Sequence, residues 1–137
     1  MRKQKGFTLI ELLVVIAIIG LLSTLAVVAL NNARLKSRDA RRVADIKQIQ
    51  TALELYYNDA NGYPAAVTTD GTGSISFSGT TYMAVVPKNP LPGGMNYAYT
   101  PDGTAPYTTY HLDYLLEGTT GGIPGSVTQH ATPAGIK

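Results

Sequence analysis

Glu11 is the residue whose type and position most clearly suggest chemistry, because its carboxylate stands at the start of a long apolar run. Residues 12–30, which follow it, include no charged side chain. At about 1.5 Å per helical residue, this run nearly spans the roughly 30 Å of hydrocarbon in a bilayer. A charge in such a segment costs about 2.5–3.5 kcal/mol at mid-depth and less near the interface, so it usually marks function. We therefore expect a partner group for Glu11.

The other candidates for chemistry are few and widely spaced. The sequence has no cysteine, and it has no Gly-x-Ser-x-Gly elbow, P-loop or metalloprotease helix. Its two histidines, His111 and His130, are too few and too scattered for a zinc site. Asp102 and Asp113 are candidate oxygen ligands for calcium, although an Asp-Gly pair such as Asp102-Gly103 is more typical of a turn. The sequence predicts a protein that is not an enzyme and binds no cofactor, with calcium as the open alternative.

Cationic side chains flank the apolar run on both sides. Three lie in residues 1–5, and six lie within residues 34–47. Beyond residue 48 acidic side chains outnumber basic ones, which argues against a domain that binds nucleic acid specifically. The cationic group after the run comprises Arg34, Lys36, Arg38, Arg41, Arg42 and Lys47.

Three interpretations of this cationic group stay open. The first is a solvated helix face that also acts as a topology signal. The second is contact between subunits, with Asp39, Asp45 or Glu54 as opposing charges, although Asp39 with Arg42 and Arg41 with Asp45 are also spaced for pairing within one helix. The third is non-specific affinity for DNA. The candidate subunit contacts are Arg34, Lys36, Arg38, Arg41, Arg42 and Asp45.

The N-terminus has three possible interpretations. A secretory signal would have an apolar core of about 7–15 residues that ends at a small-x-small site, and this core is too long. An ordinary membrane anchor fits the length but leaves Glu11 unexplained. A leader cut after Gly6 would keep the apolar segment in the mature chain, with Phe7 as its first residue.

Gly6-Phe7-Thr8-Leu9-Ile10-Glu11-Leu12-Leu13, behind a short basic leader, resembles the type III signal of type IV pilins and type II secretion pseudopilins. In that family a prepilin peptidase cuts after the glycine and methylates the new N-terminal phenylalanine. The resemblance implies processing at Gly6 and Phe7, and a role for Glu11 in assembly. There its carboxylate would pair with the protonated amine of Phe7 on a neighbouring subunit. The resemblance covers residues 1 to about 64 and is looser beyond.

The chain divides by pattern into successive segments. Residues 7–58 contain no proline and one glycine, Gly20, which predicts a long helix. Its first part is apolar all round, and its second part has apolar residues at spacings of three and four. The predicted segments are a leader (1–6), a transmembrane and polymerisation helix (7–32), an amphipathic helix (33–58), a β-sheet head (59–117) and a flexible tail (118–137).

The head has the patterns of short strands. Runs rich in β-forming residues, separated by Pro and Gly, predict strands near residues 74–77, 80–86, 95–100 and 107–116. The last two should pair antiparallel across a loop over residues 101–106. The predicted fold class is α+β, with one small antiparallel sheet packed on the apolar stripe of the long helix.

Two departures from the family pattern concern the helix and the head. Many pilins carry a proline within the span, and this chain has none, which leaves Gly20 and Ser23-Thr24 as the weak points of the helix. Many close a C-terminal loop with a disulfide, which cannot form here without cysteine. Secretion pseudopilins replace that disulfide with a calcium site, and the site does not map onto this sequence.

The resemblance implies a structural filament subunit held in the inner membrane before assembly. A surface pilus for adhesion, motility or DNA uptake is the first expectation, and a periplasmic type II secretion pseudopilus is the alternative. A monomeric membrane-tethered binding domain is a third possibility. The implied partners are other copies of the chain in a helical filament, prepilin peptidase, an inner-membrane assembly platform, minor pilins and, before assembly, membrane lipid. No specific nucleic acid is implied.

Overall fold

The computed structural model describes residues 6–93 and 95–136. The chain forms two compact units, Met1–Arg34 and Leu35–Lys137. One helix, α1 (Leu9–Ala60), contributes residues to both units. It ends where Asn61 adopts a left-handed backbone with φ of 51°, and the Asn61 N–H donates to the carbonyl of Tyr57 at 2.9 Å. Asparagine tolerates this conformation better than most residues, so it closes the helix.

The described part of the first unit consists mainly of helix with exposed apolar side chains. Leu9, Ile16 and Leu25 are representative, and none of the described residues of α1 before Asp39 is buried. The helix is long and apolar enough to cross a membrane. Exposure all round is the pattern of a surface that lipid or other apolar helices cover.

The second unit confirms the predicted α+β fold, with two antiparallel sheets beside the helix. Strands β1 and β2 form a hairpin, and a four-stranded sheet has the order β3-β4-β5-β6. The strands are β1 (Ile75–Phe77), β2 (Thr80–Met83), β3 (Ala98–Asp102), β4 (Thr109–Leu115), β5 (Thr128–Thr132) and β6 (Gly135–Ile136). Strands β3 and β4 pair antiparallel, as the sequence predicts.

The predicted loop over residues 101–106 begins later in the structure. Pro101 and Asp102 belong to β3, where they pair with Tyr110 and Thr109. Proline is acceptable here because β3 lies at one edge of the sheet and needs fewer N–H donors than a central strand.

The core lies between the second half of α1 and the four-stranded sheet. Ile46, Ile49 and Leu53, at spacings of three and four, are completely buried. Alternate residues of β4 are buried in the same cluster, among them Tyr110 and Leu112. The apolar face of α1 therefore packs against the apolar face of β4.

The prediction of a flexible tail over residues 118–137 is wrong, because this segment contains β5 and β6. Ala131 pairs with Leu112 on β4 and is completely buried, and Gln129 is also buried. The inward positions of β5 are filled by a small residue and by an amide, so the strand has no clear apolar alternation. The Gln129 Nε2 donates to the carbonyls of Pro124 and Val127, so its amide is satisfied inside the fold.

Candidate assembly site

The first turn of α1 contains a reciprocal capping arrangement between Thr8 and Glu11. The Glu11 Oε2 accepts hydrogen bonds from the Thr8 backbone N–H at 2.8 Å and from the Thr8 hydroxyl at 2.6 Å. The Glu11 N–H donates to the Thr8 hydroxyl oxygen at 3.3 Å. This is a capping box, Thr-x-x-Glu, which satisfies donors that the start of a helix leaves open. Within its own chain the Glu11 carboxylate is thus hydrogen-bonded to Thr8, and the pairing with the Phe7 amine of a neighbouring subunit stays a prediction.

Apolar side chains lie beside Glu11 at the start of α1. A shallow cavity is lined by Phe7, Ile10, Glu11, Val14 and Val15. Glu11 itself is exposed, and Phe7 keeps 79% of its surface exposed. A second charged group could therefore reach the carboxylate from outside the chain. The leader residues before Gly6 lie outside the described residues.

Gly20, the predicted weak point, lies within α1 and has no neighbouring side chain within 4 Å. Two hydroxyls close by bond back to the helix. The Ser23 hydroxyl donates to the Ile19 carbonyl at 2.7 Å, and the Thr24 hydroxyl donates to the Leu21 carbonyl at 2.8 Å. Such bonds slightly destabilise helices and often bend them. The helix is regular here, so loosening at Gly20 stays a prediction.

Arg42 lies inside the second unit, where it joins α1 to a loop that precedes β3. It is completely buried, and its Nη1 donates to Asp39 Oδ1 at 2.6 Å and to Glu117 Oε1 at 2.6 Å. Its Nε donates to Asn89 Oδ1 at 2.7 Å. Its Nη2 donates to the Gly93 carbonyl at 2.9 Å, and also to the carbonyls of Pro90 and Pro92. A planar guanidinium with five donors suits this set of partners.

Asp39 and Arg38 complete the charged network around Arg42. The Asp39 carboxylate, which is completely buried, accepts from the backbone N–H groups of Glu117 and Gly118 at 2.9 and 2.8 Å. Arg38 binds the Glu117 carboxylate through Nε and Nη2 at 2.7 and 2.5 Å. Hydrogen bonds from Arg38, and further ones from Arg42, lower the pKa of Glu117 to about 2. The end of β4 is thereby fastened to the helix.

Arg42 and Asp45 are therefore not available as surface contacts, contrary to the prediction. Asp45 is buried, and it accepts a hydrogen bond from the Tyr97 hydroxyl at 3.0 Å. Burial raises the pKa of Asp45. Arg38 is mostly engaged by Glu117, with 23% of its side chain exposed. Of the six candidate subunit contacts, the structure leaves Arg34, Lys36 and Arg41 exposed.

The sequence predicted only one ion pair of this network, the pair between Asp39 and Arg42. The spacing of Asp39 and Arg42 predicts a pair within one helix, and the structure confirms it at 2.6 Å. Glu117 and Asn89 were missed, because they join the network from 75 and 47 residues away. The available signal was the isolated acidic Glu117 at the end of an apolar strand, since a charge that follows buried positions needs a partner.

The calcium candidates Asp102 and Asp113 do not gather around one ion site in this structure. Each accepts a hydrogen bond from a histidine: Asp102 from His111 at 2.9 Å, and Asp113 from His130 at 2.6 Å. Within residues 6–93 and 95–136, no group of three or more His, Cys, Asp or Glu side chains is placed to hold a metal. The carboxylates present do not fit a calcium site, which needs six to eight oxygen ligands.

A capped, apolar helix that begins just after Gly-Phe, together with a small antiparallel sheet, defines the class of membrane-anchored, pilin-like proteins. Residues 1–27 match the model of the prokaryotic N-terminal methylation motif. The chain is 33% identical over 119 residues to type II secretion system core protein G of Pseudomonas aeruginosa, and the match covers 81% of this chain and 84% of that protein. The chain belongs to the type IV pilin and pseudopilin family.

Two further relatives have the same name and match a shorter region. Core protein G of Vibrio cholerae is 37% identical over 92 residues, which cover 67% of this chain and 56% of that protein. Core protein G of Aeromonas hydrophila is 43% identical over 63 residues, which cover 46% of this chain and 44% of that protein. The chain thus spans about half the length of several relatives that it matches. No solved structure matches the chain.

Proposed function

We propose that this chain is a pseudopilin that polymerises, after cleavage between Gly6 and Phe7, into a periplasmic filament of a type II secretion system. The single observation that carries the proposal is the similarity over most of its length to a type II secretion core protein G, supported by the methylation motif over residues 1–27. These names favour the secretion pseudopilus over the surface pilus for adhesion, motility or DNA uptake that the sequence first led us to expect.

The apolar part of α1 would form the spine of the filament. Its large apolar side chains are exposed along the described part of the first unit, as at Ile10, Leu22 and Val28. In the membrane, lipid covers these side chains, and in a filament the same surfaces of other copies would cover them. The apolar side chains stay away from water in both the membrane and the filament. Transfer of the helix from one to the other therefore requires no change in hydrophobic burial.

The Glu11 carboxylate would make assembly depend on cleavage of the leader. Before cleavage, Phe7 has no free amine, and the Glu11 carboxylate is satisfied by Thr8 at 2.6 and 2.8 Å. Cleavage creates a protonated amine on Phe7, which can approach the exposed Glu11 of another copy. A charge-assisted hydrogen bond is about twice as strong as a neutral one, and the apolar surroundings strengthen it further. Processing would thereby license assembly.

The exposed cations within residues 34–41 of α1 would contact neighbouring copies. Arg34, Lys36 and Arg41 are exposed, and so is Glu54, about four to six turns further along the same helix. Copies displaced along the filament axis would bring these opposite charges near each other. Each exposed pair contributes at most about 1 kcal/mol, so these contacts would set register more than affinity.

The protein would act as a substrate of processing and as a building block, without catalysis of its own. Prepilin peptidase would cut and methylate it, and an inner-membrane assembly platform with minor subunits would add it to the filament. The unassembled form would reside in the inner membrane through α1, which is long and apolar enough to cross it.

Deletion of the gene in its host tests the choice between pseudopilus and pilus. The proposal expects exported proteins to accumulate in the periplasm, with surface filaments and surface motility unchanged. Expression of the full chain from a plasmid should restore secretion. Normal secretion with loss of surface filaments would reject the pseudopilus and favour the pilus. Normal secretion and normal filaments would favour a monomeric, tethered domain.

A further inference from the structure

Antiparallel pairing of β4 and β5 brings together the two histidines of the chain, which are far apart in sequence. Strand β4 carries His111 and β5 carries His130, and their ring centres are 6.2 Å apart with planes at 81°. The register places His130 opposite Asp113, so His111 lies diagonally across the strand pair on the same sheet face. The full sequence contains no other histidine and no cysteine.

The surrounding carboxylates orient both imidazole rings in the same way. His111 Nδ1 lies 2.9 Å from Asp102 Oδ1, and His130 Nδ1 lies 2.6 Å from Asp113 Oδ1. An ionised carboxylate only accepts hydrogen bonds, so each Nδ1 carries the proton. In a neutral ring the lone pair is then on Nε2. A carboxylate on one nitrogen and a free lone pair on the other is the usual state of a histidine that binds metal.

We propose that His111 and His130 form a binding site for a divalent transition-metal ion of the Zn²⁺ type. The two Nε2 atoms would be the protein ligands, water would complete the coordination, and Asp102 and Asp113 would position the rings. Imidazole nitrogen suits zinc, copper and nickel, whereas calcium and magnesium prefer oxygen. The site would therefore discriminate against the alkaline-earth ions.

The spacing of the two rings is close to what one ion requires. Zinc-nitrogen distances of about 2.0–2.1 Å and a tetrahedral angle place two ring centres about 5 Å apart. The observed 6.2 Å would have to shorten by about 1 Å, which side-chain rotation can supply. Room for this exists, since 59% of the His130 side chain and 34% of the His111 side chain are exposed.

A metal ion at this position would clamp the C-terminal segment to the sheet. Strand β5 would then be held to β4 by the metal as well as by backbone hydrogen bonds, and β6 follows β5 directly. An ion that binds the folded state and not the unfolded state stabilises the fold in proportion to the logarithm of its concentration over Kd. The end of the chain would be the part that gains most.

The test is a Zn²⁺ titration of the untagged full chain in detergent micelles near neutral pH, followed by NMR of ¹⁵N-labelled histidine. The proposal expects both imidazole signals to move together and to saturate at one zinc per chain, with Ca²⁺ without effect. A His111→Gln variant should abolish the response of His130 at the same zinc concentration, and His130→Gln should abolish that of His111.

Matched aspartate variants test the positioning carboxylates. Asp113→Asn should weaken zinc binding about 10- to 100-fold, since it removes the charge that orients His130. Asp70→Asn, at an exposed aspartate that caps the turn to Thr72, should leave zinc binding unchanged. Three results with the unaltered chain would each overturn the proposal, whether or not the variants fold. These are two histidine signals that respond to zinc independently, saturation at two zinc ions per chain, and no response to zinc.

Discussion

Glu11 accepts two hydrogen bonds from Thr8, one from its hydroxyl at 2.6 Å and one from its backbone N–H at 2.8 Å. The carboxylate that looks out of place in an apolar segment is therefore satisfied within its own chain. In the unassembled protein it closes the first turn of α1. In the proposed filament, a charged amine from another copy would have to compete with these neutral donors, and its charge would give it the advantage.

The capping role of Thr8 predicts a local effect of substitution. Thr8→Val removes the hydroxyl and should destabilise the first turn by about 1 kcal/mol. Hydrogen exchange of the Glu11 and Leu12 amides, which donate to the Thr8 hydroxyl and carbonyl, should therefore accelerate about fivefold in the detergent-solubilised chain. Thr8→Ser keeps the hydroxyl and should exchange like the unaltered protein. Equal exchange in Thr8→Val and Thr8→Ser would show that the capping hydroxyl contributes nothing.

Removal of the buried guanidinium should destabilise the head strongly. Arg42→Gln would leave Asp39 and Glu117 without their shared cation, and breaking such a buried network costs about 3–5 kcal/mol. Chemical denaturation followed by near-ultraviolet circular dichroism of the tyrosines measures the change. Arg41→Gln removes the same charge at the next, exposed position and should cost less than about 0.5 kcal/mol. Similar losses in both variants would contradict the buried role of Arg42.

The carboxylate of Glu117 predicts how stability depends on pH. Its pKa in the folded protein is about 2, below its usual value of 4.5, because Arg38 and Arg42 bind its ionised form. Because its pKa is lowered, ionised Glu117 stabilises the folded protein when the pH is above about 4.5. This stabilisation is lost as pH falls from about 4.5 through 2. The loss should be on the order of 2 kcal/mol.

Glu117→Gln is the control for this pH effect. The variant should be less stable than the unaltered protein near neutral pH. The difference should shrink as pH falls toward 2 and vanish below it, where the glutamate becomes protonated in the folded protein as well. Asp45, whose pKa is raised, acts in the opposite direction and is present in both proteins, so it cancels in the comparison. A difference in unfolding free energy that stays constant from neutral to acid pH would refute the assignment.

Substitution of Gly20 tests whether the helix is weakest there. A methyl group at this position meets nothing within 4 Å, so Gly20→Ala should stabilise the helix by about 0.5–1 kcal/mol. Hydrogen exchange of residues 19–24 should slow in detergent micelles. Ala17→Gly should have the opposite effect one turn earlier. Unchanged exchange after both substitutions would remove Gly20 as the weak point.

Local patterns predicted most of the secondary structure. Absence of proline and the spacing of Ile46, Ile49 and Leu53 predict the helix and its buried face, and alternation predicts β4. Strand β5 was missed because its inward residues are Ala131 and Gln129, which are small or polar. Their burial depends on pairing with β4, a tertiary fact that no local pattern contains.

In the candidate site, too, only the contacts between residues close in sequence could be predicted. Glu11 could be identified because it breaks a rule about membrane segments, and its Thr8 partner lies only three residues away. The partners of Arg42 and His111 could not, since they come from distant positions in the chain: the loop before β3 and the end of β4 for Arg42, and β5 for His111. The cationic group of residues 34–47 has the pattern of a solvated helix face. It nevertheless contains the buried Arg42, because Glu117, far along the chain, provides a carboxylate partner.

We propose that the charge of Glu11, beyond its capping role, drives assembly through the amine of Phe7. Glu11→Gln separates the two roles, because glutamine serves the same capping position without a charge. The measurement is electron microscopy of filaments from cells that express this variant together with the assembly machinery. We predict that the variant is cleaved after Gly6 and inserted in the membrane, yet forms no filaments. Filaments of normal number and length from Glu11→Gln would contradict the account.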